Sequence, residues 1–507
     1  MERRTFLAAT ALGGLGSFTA SGCSPDGDRG GAGPKATTPR ASRPAPTGPA
    51  DWNALERGLE GRLIRPGDAA YDQAKRLYIP RYDRVRPAGI AYCEIPQDVA
   101  ECVAFATRRR LPVAVRSGGH NYAGWSTGSG LVVDVSAMDA VEHDGGRATV
   151  GAGTRLIDLY DRLSRAGAGV PAGTCPTVGI AGLALGGGLG VLSRAYGLTC
   201  DVLESVRVVT ADGRVRTCDA AREPELYWAC RGGGGGNFGV AVEFTFRTHE
   251  AGDLTTFDLR WPWSRAAAVL RGWQRWLPSA SDGVWTSVQI NTSPGAGAPT
   301  IDITGVAAES PERDLDRLTA AVGDEPDGPG LVRRSYLATM QRVGGCAGQS
   351  IDACHGQGTL PGRRPGGRFP RTDYAGKSHV VTRPLTDTGI EALLARFARG
   401  NEVSGRSVLI DALGGAIGRV KPGDTAFPHR GALFCAQYLA DGDDRDWLRA
   451  THRAMEPHAG GAAYVNYIDP ELAGWARAYY GPNLERLRRA KAAYDPARLF
   501  RFPQSVG

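Results

Sequence analysis

Lysine is scarce in this chain. Of its 60 basic residues only five are lysine, so the net charge of +7 rests on arginine. The arginines are scattered, with short runs such as Arg108-Arg109-Arg110 and Arg486 to Lys491. Such runs read as solvated helix faces. A nucleic-acid footprint needs a concentrated stripe, and none is present. No Cys-x-x-Cys or His-x-x-x-His spacing occurs, so no metal centre is expected. The apolar run Leu7 to Ala20 is too short to span a bilayer and too rich in small residues for a core helix. Gly186-Gly-Gly-Leu-Gly190 lacks a clean strand–turn–helix setting and a later acidic partner, which excludes a Rossmann dinucleotide site.

What remains is an ordinary globular composition, 42% apolar and 22% charged, in 507 residues. That length carries two or three substructures with their own cores. Arg3-Arg4 before the Leu7 run reads as a twin-arginine export signal over residues 1–23, with Ala20-Ser-Gly-Cys23 a candidate lipoprotein cleavage site. Any membrane attachment would come only through a lipid on Cys23, and the expected location is extracellular or cell-surface. Residues 24–50, rich in Pro, Gly, Ser, Thr and Ala, read as a flexible linker. Ten cysteines in an exported chain permit disulfides; Cys346 with Cys354 is the preferred pair, with Cys93 and Cys102 a second candidate.

Two glycine-built stretches stand out. Arg116-Ser-Gly-Gly-His120 holds a histidine, and Gly173-Thr-Cys-Pro-Thr-Val-Gly179 an isolated cysteine. Glycine lets backbone approach a ligand closely and turns N–H groups toward phosphate. Taken alone, His120 reads equally well as a turn histidine and Cys175 as an inert buried thiol. Together they suggest two anchor points on one large ligand.

Periodicity predicts helices at 55–63, Pro96–Arg110, 156–166 and 223–230, strands at 90–95, 112–116, 131–135, 148–152 and 238–248, and a hairpin of 202–210 with 214–218. Beyond residue 250 the texture changes to alternating strands at 255–261, 283–291, 300–306, 407–417 and 431–439, with helices at 266–277, 312–321 and 389–398 over one face. The chain turns helical from Asp446, and a last helix runs over 484–492. The expected fold is α+β: one domain over 51–250, an inserted antiparallel domain over 251–460, and a tail, 461–507, returning to the first.

The chain resembles the bacterial branch of the berberine bridge enzyme-like oxidases, which share a vanillyl-alcohol-oxidase (PCMH) type FAD-binding domain. The likeness rests on the two cradles, on Trp228-Ala-Cys-Arg-Gly-Gly-Gly-Gly-Gly-Asn-Phe-Gly239, on Asp424-Thr-Ala-Phe-Pro-His-Arg430, and on Tyr464-Val-Asn-Tyr467. It implies FAD held by two covalent bonds, from His120 to the 8α carbon and from Cys175 to C6. Arg116, Ser117, Gly118, Gly119, Thr177, Val178, Gly179, Gly182, Val242, Tyr464 and Asn466 are the further cofactor contacts it implies.

The same resemblance implies hydride transfer from a carbon to flavin N5 while Tyr467 takes the hydroxyl proton. A phenol titrates near 10, so it needs help at neutral pH. Asp411 is the implied partner, a proton relay, since its anion would oppose phenolate formation. Gln437 and Tyr122 are expected to line the substrate site. Leu413 replaces a tyrosine of many bacterial members, Leu183 a histidine of plant relatives, and Cys435 a lysine of some plant members. Val178 keeps the small residue that leaves oxygen access. The implied activity is an oxidase acting on an alcohol or sugar hemiacetal, with a small molecule or oligosaccharide as substrate, molecular oxygen as acceptor and no protein partner. A secondary-metabolite tailoring oxidase and a non-catalytic cell-surface flavoprotein are the alternatives.

Overall fold

The computed structural model describes residues 48–292, 298–328, 330–397, 405–442 and 444–507. Residues 1–47, which carry the expected export signal and most of the expected linker, lie outside the described residues. Residues 49–50 already belong to the helix Pro49–Arg57, whose proline opens it where its missing N–H costs nothing. That helix starts and stops earlier than its periodicity predicts. Gly61 then presses the chain against the strand Gly89–Tyr92: a Cβ there would lie 1.9 Å from the Tyr92 carbonyl oxygen.

Two sheets build the first domain. One has four strands in the order Arg62–Ile64, Gly89–Tyr92, Leu131–Asp134, Val113–Arg116, parallel except for its first pair. The other has five antiparallel strands, Val141–Asp144, Arg147–Gly151, Val240–Arg247, Leu203–Val209 and Val215–Cys218. Between the sheets lies the helix Pro96–Arg109, burying Val99, Cys102, Val103 and Ala106 as its period predicts.

The second domain is a seven-stranded antiparallel sheet. Its order is Val332–Arg334, Leu254–Trp261, Thr300–Ala307, Val284–Thr292, Arg406–Ala412, Phe434–Asp441, Tyr374–Val381. Side chains alternate between its faces. Thr286, Phe434 and Tyr438 face a helical layer, where the Trp273 indole N–H donates to Thr286 (2.8 Å) and its ring meets Phe434 at 5.5 Å. The opposite face carries polar residues, and three rungs of it matter below. Ser287, Asp411 and Cys435 form one; Gln289, Leu409 and Gln437 the next; Asn291, Ser407 and Leu439 the third.

The strand predicted over 407–417 ends at Ala412. Gly414 and Gly415 take positive φ (85° and 56°), and the chain turns into the short helix Ala416–Arg419. The edge strand Tyr374–Val381 has no apolar alternation to announce it; eight paired positions with Phe434–Asp441 create it. The tail returns to the first domain, as expected. Lys491 in the last helix is buried and satisfied by the carbonyls of Asn237 and Phe500 (2.5 Å each) and by Asp495 (2.7 Å). An ammonium in the interior persists only with such a full set of acceptors.

Cys346 and Cys354 form a disulfide, the preferred pairing. Cys93 and Cys102 remain free thiols with sulfurs 4.0 Å apart.

Candidate functional site

A cavity of about 1030 Å³ runs between the two domains. One wall comes from the glycine cradles, the other from the polar face of the seven-stranded sheet, and the tail closes it with Asn466, Tyr467 and Phe502.

The strand Val113–Arg116 delivers the first cradle. Arg116 turns away from the cavity into a buried ion pair with Asp134, beside Tyr92, where it lines a separate small cavity behind the loop. Ser117 donates to the Ala152 carbonyl (2.7 Å), and Ser136 donates to the Ser117 carbonyl (3.1 Å). The two cradles interlock: a Cβ on Gly118 would lie 2.2 Å from the Gly179 nitrogen, and one on Gly179 2.0 Å from the Ser117 hydroxyl. Ser117, Gly118, Gly119, Val178, Gly179 and Gly182 all reach the cavity wall. Val242 does not; its carbonyl accepts from the Ala152 amide (3.1 Å), and the neighbouring Ala241 lines the cavity instead.

His120 stacks on Tyr78, ring centroids 4.0 Å apart, and its Nε2 lies 2.9 Å from Thr177 Oγ1. The ring keeps a surface open to the cavity, yet protein surrounds it. That enclosure, reinforced by the Arg155 charge, lowers its pKa to about 3, so the imidazole is neutral. Cys175 lines the same cavity. Burial pushes its thiol pKa up, offset in part by hydrogen bonds from the Thr177 hydroxyl and the amides of Thr177 and Val178. Thr177 stands behind both anchors, outside the wall of the large cavity.

Tyr467 and Tyr122 stack across the cavity at 5.6 Å. Tyr122 is tied down: Gln437 Nε2 donates to its oxygen at 2.5 Å, and the Tyr374 ring packs edge-on against its ring at 5.1 Å. Those two neighbours partly offset the effect of burial, leaving its pKa at about 12. Tyr467 is pushed well above the ordinary phenol value, by burial first and then by the charge of Asp411. Asp411 shares the sheet face of Ser407 and Leu409, one rung deeper than Gln437, and does not reach the cavity wall. Burial raises its pKa to about 6, the hydroxyl of Ser287 across the rung opposing.

Tyr464 is buried away from the cavity. Its hydroxyl accepts from the Gly188 amide (2.9 Å) and from Asn466 (2.8 Å), and Asn466 in turn donates to the Leu183 carbonyl (3.0 Å). It positions Asn466 and the glycine run. Sequence reasoning missed Tyr78, Tyr374, Gln289, Asn291, Ser407 and Asp441, all on the cavity wall. Alternate positions on the strands carry most of them, a signal readable only once the register is known.

The residues fit an extended flavin nucleotide. The volume lies at the upper end for a ligand pocket. A Cβ on Gly182 would meet nothing within 4 Å, so its backbone faces open space. A neutral imidazole and a thiol, both able to add to an electron-poor ring, border the same space.

Residues 87–219 match the family model described as FAD binding domain, and residues 463–507 the one described as berberine and berberine like. The FAD-linked oxidoreductase YgaK of Bacillus subtilis, itself uncharacterized, is 32% identical over 466 residues, covering 88% of this chain and 97% of that one. The xylooligosaccharide oxidase of Thermothelomyces thermophilus is 30% identical over 454 residues, covering 83% and 87%. Among solved structures, BBE-like 1 of Physcomitrella patens superposes with a TM-score of 0.79 at 29% identity, covering 90% of this chain and 99% of that one. The chain is an FAD-linked oxidoreductase and belongs to the berberine bridge enzyme-like family.

Proposed function

We propose that this protein is an exported oxidase that converts an alcohol or hemiacetal carbon of a carbohydrate to the carbonyl level, with FAD tethered to both His120 and Cys175 and O2 reduced to H2O2. The observation that carries the reading is one continuous cavity joining that nucleophile pair to a sheet wall of hydrogen-bonding side chains, four of them neutral and one, Asp441, a carboxylate. Gln289, Asn291, Ser407 and Gln437 stand on two adjacent rungs of the sheet and line that cavity. Such groups suit a polyhydroxylated substrate, since each can donate and accept without a charge to desolvate. The xylooligosaccharide oxidase relative supports the same substrate class. The twin-arginine sequence supports export, and the Cys346–Cys354 disulfide agrees with an oxidising compartment.

When bound, FAD supplies the two-electron acceptor for the substrate carbon and the route of those electrons to O2. The chain handles the proton. Tyr467 takes it from the substrate hydroxyl. Its high pKa makes a standing phenolate rare, so the proton must move on as it arrives. Asp411, whose charge acts on Tyr467, is ionised above about pH 6 and accepts it. Tyr122, fixed by Gln437 and Tyr374, orients the substrate.

The test has two parts. Acid-precipitated protein should stay yellow with one FAD added to its mass, and H2O2 release should be screened with xylo- and cello-oligosaccharides beside polycyclic and phenolic alcohols. Release with the sugars supports the proposal. Release with the alcohols alone moves it to the tailoring reading, and no release with either leaves a binding flavoprotein. A pellet that loses its flavin removes the two tethers.

A further inference from the structure

Thr177 occupies the space between the two anchors. Its Oγ1 is 2.9 Å from His120 Nε2 and 3.7 Å from Cys175 Sγ, and the residue is 8% exposed. A hydroxyl carries one proton and a neutral imidazole one N–H, so the three groups form a chain with only two polarities. In one, the thiol donates to Thr177 and the hydroxyl donates to Nε2. That leaves the sulfur protonated and puts the ring proton on Nδ1, and neither group is then a nucleophile. In the other, Nε2–H donates to Oγ1, the hydroxyl donates to a thiolate, and Nδ1 keeps its lone pair. Both groups are then ready.

We infer that Thr177 is a positioning residue for cofactor attachment: its hydroxyl accepts from His120 Nε2–H and donates to Cys175 Sγ, setting the imidazole tautomer and the thiolate with one side chain. The inference rests on the two-tether reading above. Surrounding groups favour this polarity. The Thr177 and Val178 amides point at the sulfur, the Thr177 carbonyl faces the histidine ring, and the stacked Tyr78 fixes the ring plane. Arg155 disfavours a second proton on the ring, so the imidazole holds a single N–H to commit. Each attachment exchanges one C–H of FAD and one N–H or S–H of the chain for a C–N or C–S bond. The two electrons and two protons released reduce O2 to H2O2.

The experiment follows attachment by mass, without reference to turnover. Wild type, T177V and T177S are made in riboflavin-limited cells and then supplied with FAD. Samples taken over time are denatured, weighed intact, and mapped for flavin peptides at His120 and Cys175. One neutral hydrogen bond corresponds to about a tenfold change in rate. T177V is therefore expected to link at Cys175 at least about tenfold more slowly, more so at lower pH, and to slow at His120 also. T177S keeps the hydroxyl and stays within about twofold of wild type. Equal rates at both links in T177V overturn the inference. So does T177S as slow as T177V, which would make the methyl group, not the hydroxyl, the part that matters. Wild type without any covalent flavin overturns the two-tether reading itself, and the inference falls with it. If T177V does not accumulate, T177A is read against T177S in the same way.

Discussion

Asp411→Asn should stabilise the protein and impair it at once. The Asp411 carboxyl sits in a rung between Ser287 and Cys435, where burial raises its pKa from an ordinary 3.8 to about 6. The folded state therefore prefers the protonated acid. As pH rises from about 4 to about 6 the unfolded chain gives up this proton first, so wild type loses stability through that window and recovers none above it. Each pH unit between the two values corresponds to about 1.4 kcal/mol, which puts the cost of the buried anion at about 2–3 kcal/mol at pH 7. Asparagine is isosteric and uncharged, so D411N should gain most of that at pH 7 and nothing below pH 4. Urea unfolding of both chains at pH 4, 5, 6 and 7 reads the difference directly. Activity should move the other way. If Asp411 receives the Tyr467 proton, wild-type kcat/KM falls about tenfold per pH unit below about 6, while D411N lacks that limb and is slower by about 10²-fold at pH 7. Equal stability at pH 7 would mean that the anion is better solvated than its position implies. A limb near pH 6 that survives in D411N would assign it to another group and end the relay.

Tyr467→Phe should slow turnover by 10²-fold or more with the flavin content unchanged, while Tyr122→Phe, which strands the Gln437 donor, should mainly raise KM; steady-state kinetics beside flavin absorbance separates the two. Gly118→Ala forces a Cβ to within 2.2 Å of the Gly179 backbone, so it should unfold the cradles and lower the melting temperature. Gly182→Ala, whose Cβ meets nothing within 4 Å, should leave the melting temperature alone and lose FAD to crowding of the cavity, as calorimetry with flavin quantitation will show. Opening the Cys346–Cys354 bridge by a double serine substitution removes an eight-residue separation in the unfolded chain and should cost about 2–3 kcal/mol in urea unfolding, with activity retained once folded.

The parts of the site that were legible in the sequence are those built from consecutive residues. A cradle such as Arg116 to His120 or Gly173 to Gly179 declares itself because glycine spacing and the reactive side chain sit in one stretch. Tyr467 was legible for the same reason. The opposite wall was not. Gln289, Ser407 and Gln437 come from three strands and converge only through their register, so each reads in isolation as an ordinary strand polar residue. Asp441 adds its carboxylate from the end of one of those strands, opposite the edge strand Tyr374–Val381 that no alternation foretold. Arg116 shows the converse hazard: it lies in the most specific motif of the chain, yet its guanidinium belongs to Asp134. Motif membership locates a backbone, and only packing decides where the side chain goes. Thr177 combines both lessons, since its place in the cysteine motif was plain but its reach to a histidine 57 positions earlier came only with the interlocking of Gly118 and Gly179. The glycines thus do more than admit a ligand. By letting two backbones touch, they bring the histidine and the cysteine within reach of one hydroxyl.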